Sequence, residues 1–186
     1  MVENRMKPFF EARYSRILEE TDRAGADGFF MFSSESDNRP GIQYFSGFTG
    51  SFGILVFGEK GGRLVTDSRY FLQAEEESFF PLVRMEDRDP WPAVAQAVRE
   101  LGLKNLAVED DRLTLERGRA LGKIISSFVG TSGLVRRLRA VKDEEELNVI
   151  RRSARIAAEA FEAFLPAIRP GRTEAEIAAD LVHEIR

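Results

Sequence analysis

Cysteine is absent from this 186-residue chain, and histidine occurs once, at His183. Without cysteine the chain can form no disulfide, thiolate metal ligand or thiol nucleophile, and the composition fits a reducing compartment. The residues three and four positions before His183 are Asp180 and Ala179, so the predicted last helix has no second histidine for a helical metal pair. We therefore interpret His183 as a solvated or interface residue, and the sequence offers no metal-binding or catalytic set.

The chain also lacks a long apolar run and a basic surface signal. Residues 1–10 carry Glu3, Arg5 and Lys7 and no apolar stretch long enough for a signal peptide or a membrane span. The net charge is −4, and the 27 basic and 31 acidic residues are interspersed. Because no cluster of one sign is present, a phosphate backbone would find no attracting field. We predict a soluble cytoplasmic protein that binds neither nucleic acid nor membrane.

Helical and strand patterns alternate along residues 8–141. Predicted helices cover residues 8–24, 68–77, 92–101 and 114–128, and predicted strands cover residues 28–32, 54–57, 63–66, 82–85 and 106–108. Residues 33–41 are interpreted as a polar loop, and residues 134–141 as a last, basic, edge-like segment. The glycine-bearing turn at residues 59–62 predicts a β-hairpin, which brings antiparallel pairing into the sheet. The alternation predicts an α/β fold with a mixed sheet flanked by helices.

A change in composition at Lys142 predicts a second domain. Two capping patterns open amphipathic helices there, Asp143 with Glu146 and Thr173 with Glu176. Two helices with large apolar faces and no neighbouring strand would bury those faces poorly alone. The last helix reaches Arg186 without a stop signal. We expect one domain over residues 1–141, and over residues 142–186 the truncated start of another.

Two unusual segments are candidate ligand-contacting sites. In residues 44–52 aromatic residues alternate with glycines, which suits either a loop that presents rings to a ligand or an irregular strand whose aromatics fill the core. In residues 67–70 Asp67 and Arg69 lie at the start of a predicted helix, where they can contact a ligand or form a helix cap and a surface ion pair. Three acidic clusters, at residues 75–77, 109–111 and 143–146, are interpreted as hydrated faces or caps.

Five segments in this order carry a family resemblance. They are Tyr44-Phe45-Ser46-Gly47-Phe48, Thr66-Asp67-Ser68-Arg69-Tyr70, Lys142-Asp143-Glu144-Glu145-Glu146-Leu147, Ile150-Arg151, and Ile168-Arg169-Pro170-Gly171-Arg172-Thr173-Glu174. Together they resemble the creatinase, prolidase and Xaa-Pro aminopeptidase family over nearly the whole chain. The resemblance implies an N-terminal domain with ribonuclease H-like topology that ends near Val141, followed by the first helices of a pita-bread catalytic domain.

The resemblance also implies a function. The full-length protein is expected to be a metal-dependent Xaa-Pro aminopeptidase or Xaa-Pro dipeptidase that hydrolyses proline-containing peptides with two divalent ions (Mn, Co or Zn). The family's metal ligands and catalytic histidines would lie beyond this chain, so the chain alone is expected to be inactive. Two alternatives stay open: a stand-alone binding or dimerisation module, and the N-terminal domain of a creatinase-like amidinohydrolase.

In this family the N-terminal domain supports oligomerisation, and its loops can cover the active site of a neighbouring subunit. A homodimer or a higher homo-oligomer is therefore expected. The matching positions imply substrate-access candidates here, which are Tyr44, Phe45, Phe48, Phe52, Asp67 and Arg69.

Overall fold

The computed structural model describes residues 8–34 and 37–185, and it divides into two compact units, residues 1–141 and 142–186. The sequence predicts no signal peptide at the N-terminus, and residues 1–7 of that segment lie outside the described residues. In the first unit the helices are α1 (Pro8–Arg23), α2 (Arg39–Ser46), α3 (Phe71–Glu77), α4 (Trp91–Leu101), α5 (Leu115–Leu121) and α6 (Leu134–Ala140). The strands are β1 (Gly28–Ser34), β2 (Phe52–Gly58), β3 (Gly61–Thr66), β4 (Leu82–Arg84), β5 (Asn105–Val108) and β6 (Ser127–Gly130).

The six strands form one mixed sheet in the order β4-β3-β2-β1-β5-β6. Strand β2 is antiparallel to both β1 and β3, whereas the pairs β1–β5, β5–β6 and β3–β4 are parallel. The predicted hairpin of β2 and β3 is confirmed. Strand β1 lies inside the sheet and is nearly all buried, as its unbroken apolar run predicts.

The sheet separates two hydrophobic cores, because successive side chains of a strand point to opposite faces. Phe29, Phe57 and Leu64 lie in a core completed by α1, α2 and α6. Phe30, Val56 and Val65 lie in the other core, which α4 and α5 complete. The predicted α/β class, with helices on both sides of a mixed sheet, is confirmed.

The predicted loop over residues 33–41 is wrong at both ends, because strand β1 extends to Ser34 and helix α2 begins at Arg39. Pro40 lies in the first turn of α2, a position that suits proline because the first backbone N–H groups of a helix have no partner within it. A Cβ at Gly41 would lie 2.8 Å from Oδ1 of Asn38 and 2.9 Å from the sulfur of Met31. Gly41 therefore permits close packing of α2 on the sheet, whereas proline and glycine together suggested a turn in the sequence.

The predictions for residues 114–141 are also partly wrong. The Thr114 cap is confirmed, since its side chain accepts a hydrogen bond from the backbone N–H of Arg117, but α5 ends at Leu121. Residues 127–130 form the short edge strand β6, in which Phe128 pairs with Leu106. Residues 134–140 are helix α6 rather than an edge-like segment. Elements of four to seven residues have too few positions for a reliable period, and sheet pairing decides their structure.

The second unit contains helix α7 (Glu144–Phe164), a 3-10 turn (Leu165–Ala167) and helix α8 (Glu174–Ile185). Both predicted capping patterns are present. Much of the apolar surface of α7 is exposed, including Val149, Ile150, Ile156 and Phe161. Two helices thus leave much of this surface uncovered, as the sequence predicts. None of the helices within the described residues is long and apolar enough to cross a bilayer.

Candidate functional site

Tyr44 and Phe45, two of the predicted substrate-access residues, lie in the last turns of α2 and are buried. Their rings meet edge to face at a centroid distance of 4.8 Å. The Arg13 guanidinium lies 4.2 Å from the centroid of the Tyr44 ring, and its Nη1 donates a hydrogen bond to the Tyr44 carbonyl. Exposing a buried ring of this size would cost about 1.5–3 kcal/mol. The burial therefore favours a core role for these two rings.

Phe48 follows the left-handed Gly47 that ends α2, and its ring is fully buried. The ring packs under the backbone of Gly50, where a Cβ would overlap it. It also meets the ring of Tyr70 edge to face at 5.9 Å, while the Tyr70 hydroxyl hydrogen-bonds Oγ of Ser51 at 2.7 Å. The glycines thus allow the chain to fold over its own aromatic residue, and the two unusual segments of the sequence are neighbours in space.

Polar contacts fix the same segment from the side of α3. The Glu77 carboxylate accepts hydrogen bonds from the backbone N–H and the hydroxyl of Thr49 and from the amide of Gln73. The guanidinium of Arg39 donates two hydrogen bonds to the Thr49 carbonyl. Burial opposes ionisation of Glu77, but the hydrogen bonds from Thr49 and Gln73 outweigh it and lower the pKa of Glu77. Hydrogen bonds therefore anchor residues 47–51 to both α2 and α3.

Asp67 and Arg69 pair with each other beside Tyr70. Arg69 donates through its backbone N–H, Nε and Nη2 to the Asp67 carboxylate, and these bonds lower the pKa of Asp67. The predicted cap and ion pair are both present. The Arg69 side chain is 62% exposed and that of Asp67 is 16% exposed. Together with half-buried Phe52, this pair is the part of the candidate set that solvent reaches.

A second polar region lies at the carboxyl ends of β1 and β5, where the sequence predicted only a hydrated acidic turn. Glu109 directly follows β5, and the residue is 6% exposed. Its two oxygens accept hydrogen bonds from the backbone N–H of Val135 at 3.0 Å and from Nδ2 of Asn38 at 3.3 Å. Burial raises the pKa of Glu109, and these two donors offset part of that effect. The sequence pattern could have predicted this burial, because alternation along a strand points Glu109 to the same face as the buried Ala107.

The neighbours of Glu109 join the loop after β5 to the loop after β6. Thr131 donates through its backbone N–H and its hydroxyl to the Val108 carbonyl. Ser132 donates to Asp110 at 2.7 Å, and Gly133 donates its backbone N–H to Asp111 at 3.2 Å. All three residues of the acidic cluster 109–111 therefore accept hydrogen bonds from the segment that begins α6. The prediction of a hydrated cluster is wrong for Glu109, which is buried.

Among the residues that the structure describes, no three histidine, cysteine, aspartate or glutamate side chains lie together as an ion would require. His183 lies on the exposed side of α8.

Residues 1–141 form an α/β unit with a mixed sheet between two helical layers and a polar region at the carboxyl ends of its parallel strands. Residues 13–141 match the model of the Creatinase/Prolidase N-terminal domain. The chain therefore belongs to the creatinase/prolidase family.

Solved structures and curated proteins agree with this assignment. An X-Pro aminopeptidase from Thermotoga maritima superposes with a TM-score of 0.77 at 35% identity, covering 90% of this chain and 48% of the other. An Xaa-Pro dipeptidase from Bacillus anthracis gives a TM-score of 0.79 at 32% identity, covering 95% and 49%. The uncharacterized peptidase YqhT of Bacillus subtilis is 28% identical over 165 residues, 87% of this chain and 45% of that protein. The chain thus spans about half the length of the relatives that it matches.

Proposed function

We propose that this chain is the N-terminal, non-catalytic part of a metal-dependent Xaa-Pro aminopeptidase or Xaa-Pro dipeptidase. The observation that carries the proposal is the match of residues 13–141 to the Creatinase/Prolidase N-terminal domain. Two similar solved structures are an X-Pro aminopeptidase and an Xaa-Pro dipeptidase, which supports proline-containing peptides as substrates of the whole protein. Because both of these similar proteins are peptidases, they favour a peptidase over a creatinase-like amidinohydrolase.

The divalent ions of such an enzyme do not fit the described residues of this chain. No group of three potential ligands lies together there, and a pair of ions about 3.5–4 Å apart requires more. The proposal therefore assigns the Mn, Co or Zn ions and the catalytic groups to other residues of the whole protein. Residues 142–186 would be the first helices of its pita-bread domain.

The role proposed for residues 1–141 is to shape substrate access and to pair subunits in a homodimer or higher homo-oligomer in the cytoplasm. Phe52, Asp67 and Arg69 would meet a substrate or a neighbouring subunit directly, because solvent reaches them. Tyr44, Phe45 and Phe48 would contribute indirectly, by supporting the loop from the core. All three are buried, and the Phe48 ring packs against the Gly50 backbone.

An activity assay tests the absence of catalysis in this chain. The 186-residue protein is incubated with an Xaa-Pro dipeptide in the presence of Mn²⁺ or Co²⁺, and we expect no hydrolysis above a sample without protein. A whole Xaa-Pro dipeptidase under the same conditions is the positive control for substrate and metal. Turnover that scales with the concentration of this chain would refute the non-catalytic assignment.

Sedimentation equilibrium tests subunit pairing separately. We expect a concentration-dependent mass that approaches twice the 21.0 kDa of the monomer. A monomer mass at every concentration would contradict pairing through this chain and would leave the family assignment intact.

A further inference from the structure

A polar cavity of about 180 Å³ lies at the carboxyl ends of the parallel strands, and its lining residues all belong to the first unit. Its lining residues are Asn38, Glu109, Asp111, Arg112, Gly133, Val135, Arg136 and Arg139. The volume is several times the ~30 Å³ that one water molecule occupies in the liquid, and it is below the ~300 Å³ at which pockets for drug-sized ligands begin. The cavity therefore fits a small molecule or ion.

The position of this cavity follows from the topology. Strands β1 and β5 are parallel neighbours, and the chain leaves them toward opposite faces of the sheet. After β1 it enters α2, whose Ile42 lies in the core with Phe29, and after β5 it enters α5, whose Leu121 lies in the other core. Such a divergence opens a crevice outside the strand ends, which is where α/β sheets bind their ligands.

The charges around the cavity favour an anion. Three arginines and two carboxylates line it, which leaves an excess of one positive charge when Glu109 and Asp111 are both ionised. Both carboxylates are engaged: Glu109 accepts from Val135 and Asn38, and Asp111 accepts from Gly133. Protein donors thus already meet these carboxylates, which disfavours a cation as the occupant.

Hydrogen bonds within the protein position part of the cavity wall. Nη1 of Arg112 donates to the Asp37 carbonyl at 2.8 Å, which uses one of the five N–H groups of a guanidinium. The guanidinium of Arg136 lies over Gly133, where a Cβ would be 3.0 Å from its Nη2. Glu109 joins the start of α6 to Asn38 at the start of α2. A donor that is already positioned by the protein, as Arg112 is, binds an anion with a smaller loss of conformational freedom.

We propose that this cavity binds a small anion that carries a phosphate or carboxylate group, with Arg112 and Arg136 as its principal donors. Arginine suits both groups because its planar fork can donate two parallel hydrogen bonds.

Titration of the 186-residue chain with inorganic phosphate and, separately, with succinate tests the proposal at constant ionic strength. Calorimetry is expected to show saturable binding of at least one probe, with a Kd of about 1 mM. In ¹H–¹⁵N spectra of the same chain, the shifted amides should be those of Arg112 and residues 133–136. Tighter binding of phosphate identifies a phosphate site, and tighter binding of succinate identifies a carboxylate site.

The double variant Arg112→Gln/Arg136→Gln should weaken binding by about tenfold or more, because two charged donors are removed. Arg119→Gln is the matched control, since Arg119 is an exposed arginine of α5 outside the cavity lining, and its Kd should equal that of the unchanged chain. Equal weakening in the variant and the control would overturn the proposal. The absence of saturable binding of both probes would also overturn it, as would amide shifts that lie elsewhere in the unchanged chain. These two readouts use the unchanged chain and therefore do not depend on the folding of the variants.

Discussion

Glu109 illustrates how one buried carboxylate can hold separate segments of a sheet protein together. It follows β5, and its oxygens accept hydrogen bonds from the start of α6 and from Asn38 at the start of α2. Because the residue is 6% exposed, water can compensate only in part for the loss of either partner. A buried polar group that loses its partner costs about 1–3 kcal/mol, so this side chain is expected to matter for stability.

We expect Glu109→Ala to lower the free energy of unfolding by about 2–3 kcal/mol, because it leaves the Val135 N–H and the Asn38 amide without their acceptor. Glu109→Gln keeps the volume and one acceptor oxygen but places its NH2 group against the second donor, so it should cost less than Glu109→Ala without being neutral. Urea denaturation followed by circular dichroism measures both. Equal losses in the two variants would show that the acceptor oxygens are not what stabilises this region.

The same residue predicts a pH dependence. Its pKa is raised in the folded state above the ordinary 4.5, so at neutral pH the ionised form is disfavoured by burial and reduces stability. As the pH falls through the raised pKa toward 4.5, this cost disappears and the contribution of Glu109 becomes more favourable. The unchanged chain should therefore gain stability relative to Glu109→Gln as the pH is lowered from 7 toward 4.5, which urea midpoints measured along this range would show. A constant difference would contradict the assignment.

The sequence identified the candidate residues more readily than their roles. Alternating aromatics and glycines marked residues 44–52 as unusual, and the Asp67 cap was correctly located. The side chains of Tyr44 and Phe48 could not be assigned to core or surface, because that depends on α1, which supplies Arg13, and on Tyr70. Glu109 was treated as a hydrated residue because its partners Asn38 and Val135 are 71 and 26 positions away.

At the scale of elements, long periodic or unbroken apolar segments were predictable and short ones were not. Helices α1 and α4, strand β1 and the hairpin of β2 and β3 follow their sequence patterns because their own side chains determine which face is buried. Strand β6 has only four residues, and its structure depends on parallel pairing with β5. Contacts distant in sequence thus override local preference at the edge of the sheet.

Helix α7 offers a matched pair of phenylalanines. Phe164 is 4% exposed and Phe161 is 50% exposed, although they lie three residues apart with ring centroids at 6.5 Å. We expect Phe164→Ala to cost about 3–5 kcal/mol and Phe161→Ala to cost less than about 1 kcal/mol. Amide hydrogen exchange within α7 and α8 measures the effect on this unit. Similar exchange in the two variants would mean that Phe164 does not stabilise the unit through burial.

At the scale of the whole molecule, each unit has its own internal contacts, with the division at Val141 and Lys142. Both cores of the sheet consist of residues of the first unit, whereas Ala160 and Phe164 are buried residues of α7 in the second unit. The family match likewise ends at residue 141. A unit with a complete core of its own is expected to fold alone.

A shortened chain of residues 1–141 should therefore unfold cooperatively. Its urea midpoint should be close to the midpoint at which the sheet unfolds in the full chain. In its NMR spectrum, dispersed methyl resonances from side chains that contact Phe29 in one core and Phe30 in the other would show that both cores are intact. Non-cooperative unfolding of the shortened chain would show that the sheet requires residues 142–186.

Strands β1 and β2 pair without a bulge over seven consecutive positions, from Gly28 with Gly58 to Ser34 with Phe52. A single residue inserted within β1 would move every following side chain to the opposite face, so Met31 and Phe32 would exchange the layers that they fill. An added residue between Glu59 and Lys60 would only lengthen the exposed turn. We therefore expect the exposed turn between β2 and β3 to tolerate a change of length that the paired residues of β1 would not.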